Sequence, residues 1–358
     1  MRGAGAGDVD LATGLPWLSL IRRSAPTPVG RGILNPSVCL LVQGGKEMLV
    51  GQRVLHYGPG SYVQAGVALP VSGQVTHASA DAPYYGIRVD IDPKEVAAFV
   101  LEMRLQLLPA DTDPPAITVE RADGALLDVF ARLLRLLDRP RDLPVLGRLL
   151  KQELIYHLVT APGGATLSRG VVGGQRERAV GEAIHWIRTH YNEPLSIDAL
   201  ARTVHMSPSV LHRRFKAATV MSPLQYQKQV RLLEARKMLM SGDVEAASVA
   251  YEVGYESPSQ FSREYRRLFG APPLKDAEQL RRGPSLNAGG MLYTCKSNGS
   301  AGQPGGEWRT GSPRRRSVAG LRGRPATLGL RHGPDSYGRQ QWGILDNGRK
   351  PDPAMPRE

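Results

Sequence analysis

Length, charge and cysteine content suggest a two-domain protein that contacts a polyanion. The 358 residues suit two domains and a tail. They contain neither an apolar stretch of 18 residues nor a signal-peptide pattern, so we expect no transmembrane helix and no signal peptide. The net charge is +13, but residues 1–174 hold 17 basic and 16 acidic side chains, whereas residues 175–283 hold 17 and 12. Basic charge that is concentrated in one domain favours binding to nucleic acid. Cys39 and Cys295 are the only cysteines and lack a CxxC spacing, so we expect neither zinc nor a disulfide framework, and a reducing cytoplasm.

The first domain is predicted to be rich in β-strands. Residues 1–33 are predicted to be a flexible N-terminus, and residues 34–160 a folded domain. Residues 38–42 and 47–55 are predicted to pair as a hairpin around a Gly-rich turn. Further strands are predicted at 61–67, 71–76 and 84–90. Strands at such close spacing favour a small barrel or jelly roll.

Three helices are predicted after these strands, and a linker after the helices. Helical spacing of apolar residues predicts helices at 93–106, 126–137 and 146–157. This pattern leaves open whether they pack on the sheet or pair two protomers. Residues 161–175 are Gly-rich and lack a hydrophobic period, so we expect a linker there.

A helix-turn-helix pattern begins at Ser196, which can cap a short apolar helix. His205-Met206 forms a turn, and Ser207 with Pro208 is predicted to open a second helix. Leu211 and Phe215 are expected to face inward. A basic amphipathic helix after a tight turn is typical of a DNA-reading unit. The residues expected to face outward are Ser209, His212, Arg213, Arg214 and Lys216.

The same pattern repeats about 50 residues later. Ala246–Val253 is a short apolar segment, Gly254-Tyr255 is the turn, and Ser257 with Pro258 opens the next helix. A helix over residues 223–241 is predicted to join the two units. The residues expected to face outward in the second unit are Ser259, Gln260, Ser262, Arg263, Arg266 and Arg267.

The repeat predicts a double helix-turn-helix domain over residues 176–283. Arg213 and Arg263 occupy matching places, so a rigid joining helix would let both enter successive major grooves, about 34 Å apart. Arg can donate two bonds to a guanine edge, and Gln can do the same to adenine. The alternative is an all-helical domain that does not touch nucleic acid.

Residues 176–275 resemble the AraC/XylS family of transcription regulators. The most specific part is residues 250–273, AYEVGYESPSQFSREYRRLFGAPP, and the stretch SPLQY at 222–226 also matches. The resemblance implies base contacts from Ser209, His212, Arg213, Ser259, Gln260 and Arg263. It implies phosphate contacts from Ser207, Lys216, Ser257 and Arg266.

The first domain resembles the cupin-like N-terminal domain of one branch of this family. The matching segments are PSVC at 36–39, VQG at 42–44, YGPG at 57–60 and LPVSGQV at 69–75. The resemblance implies a small-molecule effector and dimerisation. Metal-binding cupins need an HxH pair, but His56 and His77 stand alone, so we expect no metal and no cofactor.

Residues 284–358 depart from the family, whose members usually end near the position of Leu280. This stretch contains 14 Gly and 8 Pro, so we expect a disordered basic tail. Its composition fits either a reading-frame artefact or an arm that adds non-specific DNA affinity.

Together these features predict an α+β two-domain protein: a cupin-like β-barrel with helices, then an all-α double helix-turn-helix domain. We expect a sequence-specific transcription regulator, more an activator than a repressor, with promoter DNA, an effector, RNA polymerase and a second copy as partners. Two alternatives stay open. One is an architectural protein that binds DNA with little sequence preference. The other is a cupin-type enzyme, although neither paired carboxylates nor a nucleophile motif supports it.

Overall fold

The computed structural model describes residues 8–105, 115–172, 175–242 and 244–282. The tail predicted at 284–358 lies outside the described residues.

The described N-terminal part holds ten strands in two antiparallel sheets. In chain order they are β1 (Val9–Ala12), β2 (Leu18–Arg23), β3 (Gly30–Leu34), β4 (Ser37–Gln43), β5 (Gly45–Val50), β6 (Arg53–Tyr57), β7 (Ser61–Ala65), β8 (Leu69–His77), β9 (Tyr84–Asp90) and β10 (Ile117–Arg121). One sheet has the order β1-β2-β9-β4-β7-β10, and the other has the order β3-β8-β5-β6. No pairing among the described residues joins the two sheets, so of the two predicted forms, a small barrel or a jelly roll, the closed barrel is not formed. The predicted α+β fold with a sheet-rich N-terminal domain is confirmed.

The predicted hairpin between residues 38–42 and 47–55 is wrong, because these segments do not pair with each other. Strand β4 pairs with β7 and β9, whereas β5 pairs with β6 and β8. Gly44 has a φ of 92°, and a Cβ placed there would lie 2.6 Å from the carbonyl oxygen of His77. At this glycine the chain therefore crosses from one sheet to the other. A second turn, at Gly51-Gln52, divides residues 47–55 between β5 and β6.

The flexible N-terminus predicted for residues 1–33 is wrong over the described residues 8–33. Strand β2 lies between β1 and β9, and its Leu18 and Leu20 are buried. The guanidinium of Arg23 donates to Asp10 at 2.6 Å and ties β2 to β1. Turn residues separate these short strands, so the alternation of apolar and polar residues was too short to identify them from the sequence.

The larger sheet has a core on each face. Leu40 and Tyr62 point to helices, whereas their neighbours Leu41 and Val63 point to the second sheet. This alternation follows the two-residue period of a strand. The helices are α1 (Pro93–Glu102), α2 (Gly124–Leu136) and α3 (Leu143–Thr160), which confirms the three helical predictions.

The linker predicted at 161–175 contains a fourth helix, α4 (Ala165–Val172), so that prediction is wrong there. Thr166 and Ser168 are buried. A Cβ placed on Gly66 would lie 1.9 Å from the carbonyl oxygen of Thr166, so α4 lies against the end of β7. Small residues allow this close approach. Because these residues show no hydrophobic period, the sequence pattern resembled that of a linker.

The rest of the described chain is helical and forms one compact unit with the β-rich part. Its helices are α5 (Gln175–Thr189), α6 (Ile197–Thr203), α7 (Pro208–Thr219), α8 (Pro223–Ser241), α9 (Ala246–Glu252), α10 (Pro258–Phe269) and α11 (Pro273–Arg282). Of the helices described, none has the length and apolar character needed to cross a membrane.

Candidate DNA-binding surface

The first helix-turn-helix unit consists of α6, a tight turn and α7. The hydroxyl of Ser196 accepts from the amide of Ala199 at 3.2 Å and caps α6. His205 turns the chain with a φ of 54°, and the amide of Met206 donates to the carbonyl of Ala201 at 2.9 Å. Buried Leu211 then packs α7 onto this turn.

One detail of this unit differs from the prediction. Ser207 occupies the N-cap position of α7, but its hydroxyl accepts no backbone hydrogen bond of the helix. Instead it lies 3.4 Å from the hydroxyl of Ser209. Pro208 opens the helix as predicted, because the first helical amide needs no partner.

The first unit presents a basic face to solvent. Phe215, on the opposite face of α7, is fully buried. The five residues predicted to contact DNA from this unit are all exposed: Ser207, Ser209, His212, Arg213 and Lys216. The fold therefore leaves this face uncovered.

The second unit, of α9, a turn and α10, repeats the arrangement. Gly254 has a φ of 87°, and a Cβ placed there would lie 2.1 Å from the carbonyl oxygen of Asn192. The turn therefore requires glycine for both conformation and space. The hydroxyl of Ser257 accepts from the amide of Gln260 at 3.5 Å, and Phe261 is buried beneath α10.

The second unit also presents its predicted contact residues to solvent. Ser259, Gln260, Arg263 and Arg266 are exposed, and Ser257 is half-buried. The side-chain amide of Gln260 donates to Glu264 at 3.3 Å, so it reaches a base only by leaving this carboxylate.

Glu264 joins α10 to the rest of the domain. It accepts from the ammonium of Lys228 on α8 at 2.8 Å and from the hydroxyl of Tyr255 at 2.9 Å. Burial raises the pKa of Glu264, but the hydrogen bonds from Lys228, Tyr255 and Gln260 outweigh burial and leave this pKa below its usual value. Burial and the same carboxylate raise the pKa of Tyr255.

A second, buried network also fixes α10. The guanidinium of Arg236 on α8 donates to both carboxylate oxygens of Asp276, at 2.8 and 3.0 Å. The hydroxyl of Tyr265 on α10 donates to the same carboxylate at 2.8 Å. Burial, and next the negative charge of Asp276, raise the pKa of Tyr265. These bonds hold α8, α10 and α11 together.

The sequence reasoning missed the structural role of Arg231 in the middle of α8. Its guanidinium donates to the carbonyls of Tyr191, Gly254 and Glu193, at 2.6, 2.7 and 2.8 Å. The side chain thus clamps the loop after α5 to the turn of the second unit. Its place within residues 176–275, which resemble the AraC/XylS family, was the only signal.

Helix α8 joins the two units, as predicted for 223–241. Ser222 and Gln225 form a reciprocal capping box at its start. Near the start of α8, Leu224 is 55% exposed, whereas Tyr226 is fully buried. Different side chains of α8 therefore contact different neighbouring elements, and some remain exposed to solvent.

The β-rich domain contains a small space between its sheets, lined by both apolar and polar side chains. Its cavity volume is about 10 Å³, and its walls include Met48, Cys39, Lys46 and Arg88. Burial lowers the pKa of the Lys46 ammonium, and the positive charges of Arg88 and Arg23 lower it further. Across the described ranges no three His, Cys, Asp or Glu side chains form a group that could hold a metal ion.

Comparison with known proteins gives a match for each part of the chain. The family described as the N-terminus of AraC-type transcriptional regulators matches residues 14–166, and a helix-turn-helix domain family matches residues 200–279. The transcriptional activator RhaS of Salmonella schwarzengrund is 26% identical over 177 residues. That alignment covers 49% of this chain and 63% of the relative, so it spans less than two thirds of the relative's length.

Solved structures are also similar to parts of the chain. ToxT of Vibrio cholerae is 9% identical with a TM-score of 0.49, over 73% of this chain and 97% of ToxT. The DNA-binding domain of AdpA, solved with a target DNA, is 29% identical with a TM-score of 0.28, over 29% of this chain and 93% of that domain.

The two family matches agree with the fold. The match to the regulator N-terminus covers the β-rich part, and the helix-turn-helix match covers α6 to α11. The chain therefore belongs to the AraC/XylS family of transcription regulators.

Proposed function

We propose that the protein is a sequence-specific, DNA-binding transcription regulator whose activity a small molecule controls. The observation that carries this proposal is the pair of exposed recognition faces, on α7 and α10, mounted on one connecting helix. Two such helices suit successive major grooves on one side of DNA.

The predicted contacts divide by chemistry. Arg213 and Arg263 suit guanine edges, since each guanidinium offers two parallel donors, and Gln260 suits adenine. Ser209, His212 and Ser259 complete the predicted base-reading set. Ser207 and Ser257 at helix starts, with Lys216 and Arg266, suit phosphates, which set register without reading sequence.

The effector site is proposed between the two sheets of the N-terminal domain. The space there is small, so an effector enters only if flexible side chains such as Met48 move. Lys46 and Arg88 line this space with N–H donors, which favours an effector with a carboxylate or another group that accepts hydrogen bonds.

The regulator is proposed to act in the cytoplasm as an activator that contacts RNA polymerase. The relatives that support this direction are named transcriptional activators. No catalytic step is proposed for the chain.

The testing experiment measures binding of the full chain to DNA from upstream of its gene, beside a scrambled fragment, at one salt concentration. We expect preference for the upstream fragment, lost in Arg213→Ala and in Arg263→Ala. Arg141→Ala removes an exposed arginine of the N-terminal domain and serves as the charge control. Equal weak binding to both fragments would favour the architectural protein instead, and absence of binding would contradict both.

Homodimerisation is proposed through α3. Val145, Leu149 and Tyr156 follow one side of this helix and are 65%, 55% and 44% exposed. An apolar stripe of this kind marks an interaction surface. Sedimentation of the full chain should show a dimer that Leu149→Glu dissociates and that Leu101→Glu, on an equally exposed site of α1, leaves intact. A monomeric wild type would refute this interface.

A further inference from the structure

Helix α7 ends at a valine in the left-handed backbone conformation, which valine rarely adopts. Val220 has φ 61° and ψ 13°, and its amide donates to the carbonyl of Lys216 at 2.8 Å. The matching residue of the second unit is Gly270, with φ 85° and the same bond to Arg266. Left-handed backbone is ordinary for glycine and strained for a β-branched residue. Only the first unit therefore closes its recognition helix on a strained residue.

The N-terminal domain contacts this strained residue. A Cβ placed on Gly51, in the turn between β5 and β6, would lie 3.0 Å from both Cβ and Cγ1 of Val220. Val220 also packs against the core between the two sheets. At Gly270, by contrast, the same construction finds no heavy atom of the described residues within 4 Å. Strained conformations persist where their surroundings determine them, and such sites often belong to switches.

A buried hydrogen bond forms a second contact between the domains. The hydroxyl of Tyr226 on α8 donates to the carbonyl of Ala68 at 2.8 Å. Ala68 lies between β7 and β8, and it shares an apolar cluster with the core of the helix-turn-helix domain. The ring of Tyr226 packs edge-on against Phe215 of α7, with 5.5 Å between ring centroids. This tyrosine therefore connects the N-terminal domain to the first recognition helix.

The two contacts form a seam, which we define as Gly51, Ala68, Val220 and Tyr226. The seam lies at the C-terminal end of α7, whereas Arg213 and its exposed neighbours lie nearer the other end. The N-terminal domain therefore holds the first recognition helix without covering its DNA-binding face.

We propose that Val220 and Tyr226 are positioning residues through which the N-terminal domain sets the first recognition helix on DNA. The second recognition helix is connected to that domain through α8 and serves as a constant anchor. An effector would then change contacts in one half of the DNA site and spare the other half. This inference rests on the proposed function and names how the function is regulated.

The first test measures amide hydrogen exchange in the full chain without DNA. Val220→Gly and Tyr226→Phe should each speed exchange at the Gly51 turn and at residues 66–68, by about fivefold to tenfold. The matched control is Tyr265→Phe, which removes a buried hydroxyl from the second unit. A role confined to the helix-turn-helix domain would leave exchange in the N-terminal domain unchanged and overturn the proposal, as would an equal effect in the control. Gly270 indicates that glycine suits this cap, so Val220→Gly should fold.

The second test maps hydroxyl-radical protection of the upstream DNA by the full chain at fixed salt. Val220→Gly and Tyr226→Phe should alter protection in the half-site that Arg213→Ala also weakens, and should spare the half-site weakened by Arg263→Ala. Equal change in both half-sites would overturn the inference. If the wild type protects no specific site, the proposed function fails, while the exchange experiment still decides whether the seam exists.

Discussion

The two helix-turn-helix units have the same local design but differ where the backbone turns left-handed. The second unit uses Gly254 and Gly270 at these positions, whereas the first uses His205 and Val220. Just three non-glycine residues in the described ranges have a positive φ, and two of them are these. The comparison indicates that the second unit places glycines where the backbone is left-handed, whereas the first unit places residues with a Cβ there and carries the strain.

The largest expected effect is at the turn of the second unit. Gly254→Ala would place a methyl 2.1 Å from the carbonyl oxygen of Asn192 on a backbone with a φ of 87°. We expect the free energy of unfolding to fall by about 3 kcal/mol or more. The control is His205→Ala, at the corresponding turn, which should cost about 0.5 kcal/mol or less because both residues carry a Cβ. Urea unfolding measures the free energy of unfolding of both variants. Similar losses in the two would contradict the proposed difference between the two turns.

Affinity for DNA provides the next comparison. Arg213→Ala and Arg263→Ala should each cost about 1–3 kcal/mol and relax base preference in a different half-site. Lys216→Ala and Arg266→Ala should weaken binding to all sequences alike and lower the salt slope by about 1. Titrations with mutated half-sites at several salt concentrations separate these outcomes. Relaxed preference in the same half-site for both arginines would mean that the two helices do not read separate grooves.

The C-terminal ends of the two recognition helices should respond differently to substitution. Gly270→Val should lower the free energy of unfolding by about 1–2 kcal/mol, because no described residue is placed to support the strained valine. Val220→Gly should change it by less than about 1 kcal/mol, since relief of strain offsets the lost packing. Thermal unfolding of both variants tests this pair. A large loss in Val220→Gly alone would mean that packing, not strain, dominates at the first cap.

The smallest effect concerns Glu264, whose place in the first unit is taken by Arg214. The pKa of Glu264 is lowered from its usual 4.5, so the ionised carboxylate stabilises the fold above that pH and the contribution is lost as pH falls through the lower, folded pKa. Glu264→Gln should therefore cost about 0.5–1 kcal/mol at pH 7 and less at pH 3. Unfolding free energies at both pH values are the measurement, and a loss independent of pH would exclude this linkage.

Local signals in the sequence determined much of this protein. Serines that precede prolines, a helical apolar period and a glycine turn predicted both helix-turn-helix units and the helix between them. Helix starts and amphipathic faces depend on residues within a few positions, so a single sequence reveals them. The same reasoning placed the predicted contact residues on exposed faces of α7 and α10.

Only the tertiary structure decided the long-range arrangement. It paired β4 with β7 and β9 rather than β5, ordered the strands before residue 34, and turned the Gly-rich segment into α4. It also brought Val220 to Gly51 and Tyr226 to Ala68. These contacts join residues far apart in the chain, and their apolar or small side chains would suit many partners. The local pattern therefore indicates that such residues are buried, whereas the packing of the whole fold selects the partner of each.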